Sequence, residues 1–237
     1  MSNSKLLMDR ATAAGLELEQ LLSVQPAPGS KMLTAETLRQ GKAVAFQRII
    51  KMGVLASGEF GKGFVLAKVP ASNGLGWQWS APAFYSLLGG SLGLTTAIES
   101  IHTIIVLASV EAGAKLASGG SYMGPDFDLT FANDYSATKT TQEGMLTRSE
   151  VLSATKSSGG FAIDASFSGG SVSSDQKTNA SCYGQGVTPQ QILSGEVEPP
   201  PEMNHLYQKL YSRMAVDPTS AHEAEARTAT HTWNAAP

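Results

Sequence analysis

Apolar side chains recur at Leu7, Ala11, Ala14, Leu18, Leu21 and Leu22, spaced by three and four residues, with Asp9, Arg10, Glu17 and Glu19 mostly off that stripe. This spacing lines one face of an α-helix, so a helix is predicted over residues 4–23. A helix lying on a membrane carries several Lys or Arg on its polar face. This one is mixed in charge, so its stripe is read as packing on the folded domain. Pro26, Pro28 and Gly29 then end it. A second helix is expected from Thr34, whose hydroxyl is placed to cap first-turn N–H groups. Thr37, three residues on, is not the Glu or Gln of a full capping box.

From Lys42 the hydrophobic period shortens. Lys42–Ile50 reads as a strand, and between Gly53 and Leu107 short apolar, β-branched runs are punctuated by Gly, as in Gly61-Lys62-Gly63-Phe64-Val65-Leu66 and Gly89-Gly90-Ser91-Leu92-Gly93. Such runs predict closely spaced strands with tight turns. Glycine weakens a strand, so its density here needs a cause. Bulges, bends and close packing of another element supply one, and they are also how a sheet curls. The predicted class is α+β: a strongly curved, mostly antiparallel sheet closing into a barrel-like body, with N- and C-terminal helices packed on it.

A short helix is expected over Val110–Leu116, and alternation predicts strands over 127–138, 149–154 and 161–172. Thr188-Pro189-Gln190-Gln191 carries a helix start with Pro at N1 and Gln at N3, stopped by Gly195. Pro201–Met214 gives a final helix with Leu206 and Leu210 inward. Beyond Ala215 the periodicity disappears, and a disordered tail is expected. The organisation read from this is an N-terminal helix and connection (1–32), one folded domain (33–214) and a tail (215–237).

Hydrophobic residues make up 42% of the chain and charged residues 16%, enough apolar matter for a core. No eighteen-residue apolar run is present, which argues against a transmembrane helix. A net charge of -3 argues against nucleic acid as the main ligand. Cys182 is the single cysteine, so an internal disulfide and a cysteine zinc cluster are both excluded. No secretory signal follows Met1, and an intracellular protein is the simplest expectation.

Candidate chemistry is sparse. The four histidines show no metal-ligand spacing, and no metal or cofactor is expected. Ser57, before Gly58, and Ser168, before Gly169-Gly170, lack the preceding Gly of a nucleophile elbow. Gly61-Lys62-Gly63 lacks the ending of a phosphate-binding loop, so its glycines are read as turn residues. His102 is read as structural, with a hydrolase reading reopened only by a serine and a carboxylate beside it in a deep pocket. Pro199-Pro200-Pro201 suits a polyproline II ligand of an SH3 or WW domain. Near the start lies a basic set, Lys31, Arg39, Lys42, Arg48, Lys51 and Lys62.

Taken in order, the Gly-rich pair at 53–68, Trp79-Ser80-Ala81-Pro82, Gly89-Gly90, Ile104-Ile105-Val106-Leu107, Gly159-Gly160-Phe161, Asn179 before Tyr183-Gly184, and Ile192-Leu193-Ser194-Gly195 resemble the SYLF domain family over roughly Leu33 to Leu210. The resemblance implies a non-enzymatic module that binds phospholipid, phosphoinositide in particular, and is linked to membrane traffic or the actin cytoskeleton. It implies lipid contact through Arg39, Lys42, Arg48, Lys51 and Lys62, a cytoplasmic location peripheral to membranes, and F-actin or SH3-containing proteins as further partners. The alternative is a protein scaffold using the Pro-rich edge or a sheet edge.

Overall fold

A computed structural model describes residues 3–23, 33–53, 56–71, 76–92, 99–123, 150–158 and 170–214. Helix α1 (Asn3–Leu22) and the short α2 (Ala35–Gln40) precede strands β1 (Ala43–Gly53), β2 (Ala56–Pro70), β3 (Trp77–Trp79), β4 (Ala83–Leu92) and β5 (Glu99–Leu107). Then come α3 (Val110–Ser118), β6 (Gly119–Met123), β7 (Val151–Ser158), β8 (Gly170–Ser174), α4 (Gln176–Tyr183), α5 (Pro189–Ser194), a 3-10 turn (Pro201–Met203) and α6 (Asn204–Met214). The expected strands over 127–138 and most of 161–172, and the expected tail, lie outside the described residues.

All described pairings are antiparallel, and the strand order is β6-β8-β4-β2-β1-β5-β7, with β3 added to β2. Among the described residues β6 and β7 stand at opposite ends of this path. No pairing among the described residues joins these ends, so the sheet is open there and the barrel-like closure expected from the glycines is not seen. Helices cover much of both faces and bury most of the apolar surface there.

Strand side chains alternate between the two faces. On one face Ala43, Ala45, Val65, Ala67, Ala83, Ile105 and Leu107 pack beneath Ala112 and Leu116 of α3 and Ile192 and Leu193 of α5. On the other, Val44, Phe46, Phe64, Leu66, Phe84, Ile104 and Val106 meet Leu7, Ala11, Ala14, Leu18 and Leu21 of α1, and Leu206, Tyr207 and Leu210 of α6. Phe46 stacks on Phe64 at 5.3 Å, and Phe64 lies 6.0 Å from Phe84. The stripe of α1 thus packs on the sheet, as its mixed charge predicted.

The glycines in β2 sit within a continuous fifteen-residue strand, which corrects their reading as turn residues. Gly63 is opposite Tyr85, and a Cβ there would stand 2.5 Å from the Tyr85 ring and 2.8 Å from the Phe46 carbonyl. Its bare backbone lets the fully buried Tyr85 reach across β2 and donate its hydroxyl to Gln47 Oε1 at 3.0 Å. Close packing, rather than turning, is the use made of glycine at this position.

The caps follow the sequence with one correction. Thr188 and Gln191 close a capping box on α5, and Gly195 ends it at φ 90. At α2 a box also forms, because the Thr37 hydroxyl accepts from Thr34 N at 2.9 Å in place of Glu or Gln. Helix α4, not anticipated from the sequence, begins at the Asp175 cap and is pinned by Asn179. The buried Asn179 amide accepts from Phe84 N and donates to Phe84 O, both at 2.9 Å, and so extends β4 pairing beyond β8. Gly63→Ala is expected to destabilise the fold by about 1–3 kcal/mol through overpacking, a drop of several degrees in Tm. A melting curve superposable on wild type would show that Tyr85 does not cross at Gly63.

Candidate functional site

The antiparallel register sets side chains on the α1-covered face in rows. The aromatic core row Ile104–Phe46–Phe64–Phe84 is followed, two residues along each strand, by His102–Arg48–Lys62–Ser86. Successive rows are about 7 Å apart. Arg48 and Lys62 are therefore direct cross-strand neighbours on one face, both exposed. Like charges placed opposite each other are unfavourable unless other groups offset them.

Offsetting groups come from β5 and from the head of α4, while α1 adds a third cation. Arg48 Nε donates to Ser100 Oγ on β5 at 2.9 Å. Lys62 Nζ pairs with Asp175 Oδ2, at the head of α4, at 3.0 Å. Burial raises the Asp175 carboxyl, but hydrogen bonds from Lys62 and Thr178 outweigh it and hold the group below its ordinary value. From α1, Arg10 lies half-buried beside Asp175 and Arg48, its pKa lowered by burial.

Glu17 is the fourth contributor, and it corrects the helical reading. Spacings of three and four from Ala14 to Glu17, and from Glu17 to Leu21, put it on the buried stripe, where it is 8% exposed. Its Oε2 is 3.4 Å from His102 Nδ1, while Oε1 has no hydrogen-bond partner among the described residues. Burial pushes its carboxyl up to about 8 despite the opposing Arg48 charge. Burial, and then Arg48, lower His102 from its ordinary value. At neutral pH this contact therefore joins a carboxylic acid to a neutral imidazole; it is not an ion pair.

The same geometry brings a serine and a carboxyl to His102, since His102 Nε2 is 3.4 Å from Ser100 Oγ. The order acid, imidazole, hydroxyl is that of a nucleophilic triad. Protonation works against that use. With Glu17 neutral, no carboxylate charge stands behind Nδ1 to stabilise an imidazolium. Ser100 Oγ also accepts from Arg48 Nε.

One row farther out, Ile50, Phe60 and Leu88 are register neighbours, with Ser100 and Ser171 at the two ends. Phe60 is 51% exposed and Leu88 56%.

The remaining predicted lipid contacts lie elsewhere. Arg39 is on α2, paired with Glu36 at 2.7 Å. Lys42 is exposed just before β1, six residues from Arg48, or about 20 Å along a strand. Beside it Lys68 donates to the Leu38 and Arg39 carbonyls and lies 4.8 Å from the Trp77 ring centre, with its pKa lowered to about 8 by burial and by Lys42. The Lys51 backbone pairs with Glu59, and its side chain is outside the described structure, as is all of Lys31. Of the five, the structure joins Arg48 to Lys62 and separates them from Arg39 and Lys42. The sequence reading missed Arg10, Glu17 and Asp175. Glu17 alone carried a signal, its place on the stripe.

A family model described as "Las17-binding protein actin regulator", Ysc84, matches residues 88–213. The chain belongs to the Ysc84 (SYLF) family. LAS seventeen-binding protein 3 of Saccharomyces cerevisiae is 26% identical over 195 residues, covering 77% of this chain and 39% of that protein. Protein YSC84 of the same organism is 29% identical over 188 residues, 74% of this chain and 37% of its own length. The human SH3 domain-containing YSC84-like protein 1 is 27% identical over 189 residues, 77% of this chain and 52% of its own. The chain thus spans about half or less of the length of these relatives, and no solved structure matches it. The Ysc84 match takes in Leu88, His102 and Asp175; Arg48 and Lys62 precede it.

The buried acid makes a prediction about pH. A carboxyl with a raised folded pKa binds its proton more tightly folded than unfolded, so stability falls as pH rises between the ordinary 4.5 and about 8. His102 acts oppositely, and only at and below the ordinary histidine range, about 6.5. Relative to Glu17→Gln, wild type is therefore expected to lose a few kcal/mol from about pH 5 to about pH 8, read by urea unfolding at each pH. A pH-independent difference would refute the neutral, buried Glu17.

Proposed function

We propose that this chain is a non-enzymatic module that attaches to anionic phospholipid surfaces, phosphoinositides among them, in the service of the actin cytoskeleton and membrane traffic. The observation that carries the reading is the cationic row. Arg10, Arg48 and Lys62 stand together, and of the titratable groups described beside them Glu17 and His102 are held neutral, leaving Asp175, among the described residues, as the acid that answers them. These six groups carry an excess of two positive charges on a chain whose net charge is -3. Each Lys or Arg near an anionic membrane contributes on the order of 1 kcal/mol. A small cluster therefore gives weak, reversible, salt-sensitive attachment.

The family description supports the cytoskeletal part, and the printed names of the relatives, Las17-binding and SH3 domain-containing, describe adaptors rather than enzymes. Among the described residues no helix is long and apolar enough to cross a membrane, and attachment from one side suits that. A second reading, as a protein scaffold, has one observation in its favour. Pro200, at φ -70 and ψ 137, has polyproline II geometry of the kind SH3 domains accept. Pro199 and Pro200 are nevertheless half-buried, which leaves Pro201 as the exposed member of the three.

Co-sedimentation with vesicles tests the two readings together. Binding should grow with phosphoinositide or phosphatidylserine content and weaken as salt is added. Arg48→Ala with Lys62→Ala should lower the partition coefficient roughly tenfold or more, while Lys42→Ala changes it little and circular dichroism shows all variants folded. Equal binding to neutral vesicles would reject the proposal. So would capture of the intact chain by SH3 domains or F-actin with no vesicle binding.

A further inference from the structure

The exposed apolar row beyond the cations is unusual in how little covers it. On the reverse side of the same strands, and at the same level, Ile49, Leu87 and Ile101 are 4–6% exposed. On the α1-covered side Phe60, Leu88 and, one step farther along β1, Met52 at 44% stand open. Phe60 pairs directly with both Ile50 and Leu88, so these side chains form one continuous strip, with Ser100 and Ser171 closing its ends. Contiguous exposed apolar side chains on a folded surface mark a place where something else docks.

We propose that this strip, Ile50, Phe60 and Leu88 with Met52, enters the acyl boundary of an anionic bilayer while Arg48 and Lys62 hold the headgroups. The inference rests on the preceding reading that the cationic row meets anionic lipid, and it adds that attachment has a hydrophobic part. Charge and geometry select lipid as the occupant. The strip adjoins the surface whose excess charge is positive, and the two rows are two residues apart along each strand, about 7 Å. That offset matches the depth, about 5–10 Å, to which interfacial elements bury their apolar side chains. Cations at headgroup level and apolar side chains one row deeper are the arrangement in which both terms are satisfied at once. Strands β1, β2 and β4 hold both rows in a single hydrogen-bonded lattice, so insertion requires no unfolding.

The test uses the full chain, vesicles of phosphatidylcholine with phosphatidylserine, and the same vesicles with brominated acyl chains. In Phe60→Trp the added emission is expected to shift to shorter wavelength on binding and to be quenched by bromine, beyond any change that the native tryptophans show in wild type. Phe60→Ser with Leu88→Ser should retain the wild-type melting temperature, since both side chains are exposed. It should bind about tenfold or more weakly, with the loss persisting at high salt, where the cations are screened. Salt-sensitive binding in which the added emission of the Phe60→Trp variant is unmoved and the serine variant matches wild type would overturn insertion while leaving the electrostatic reading intact. Absence of binding to any anionic vesicle would overturn both. A concentration-dependent dimer that the serine variant abolishes would give the strip to a second copy and likewise overturn insertion.

Discussion

The unbroken pairing of β1 with β2, from Ala43 opposite Ala67 to Gly53 opposite Ser57, is the constraint on which the rest depends. Because strand side chains alternate with a period of two, a slip of one residue would turn Phe46, Arg48 and Ile50 to the other face together. The packed aromatic row prevents that slip. Phe46 against Phe64, and Phe64 against Phe84, fill the space beneath α1 and α6, while Tyr85 crosses Gly63 on the reverse side to reach Gln47. Core packing at one end of the hairpin thereby determines which charged and apolar side chains share a surface at the other.

Helix α1 completes that surface as well as the core. Its apolar stripe lies on the sheet, Glu19 ties it to Lys209 and Arg213 of α6, and the same helix delivers Arg10 and Glu17 to the cationic row. Burial of a carboxyl ordinarily costs stability unless it is paired or neutral. Neutrality is the outcome here, because burial outweighs the Arg48 charge, and the neighbouring His102 is itself lowered by burial and by Arg48. The consequence is electrostatic: an acid that composition counts as negative contributes no charge at neutral pH, so the local balance is positive although the whole chain is acidic.

Local periodicity was enough to read α1, the strand-rich centre, α3, the capped α5 and the last helix, since each rests on short-range patterns of apolar and capping residues. The closure of the sheet was not legible, because glycine density serves close packing as well as curvature and the sequence does not say which. Tyr85 needs Gly63 bare, and only the register shows it. For the site, the basic residue types near the start were visible, but not which of them meet. Arg48 and Lys62 are fourteen residues apart and become neighbours through strand pairing, whereas Lys42, nearer in sequence, falls about 20 Å away along the strand. Asp175 joins them from the far side of the chain through the β4–β8 pairing and the α4 cap.

The structure thus has two chemically different ends. At one, cations precede exposed apolar side chains on a shared sheet face. At the other, Trp77 packs on Tyr211 at 5.2 Å beside Lys68, with Arg39 and Lys42 nearby. The measurement that separates them most directly is nitroxide accessibility on vesicle-bound protein, with Cys182 replaced by Ser and single labels at positions 60, 88, 42 and 77. The account predicts that labels at 60 and 88 become more accessible to dissolved oxygen and less accessible to a water-soluble nickel chelate, while those at 42 and 77 stay as in solution. Lipid contact at 42 and 77, with 60 and 88 left in water, would contradict it.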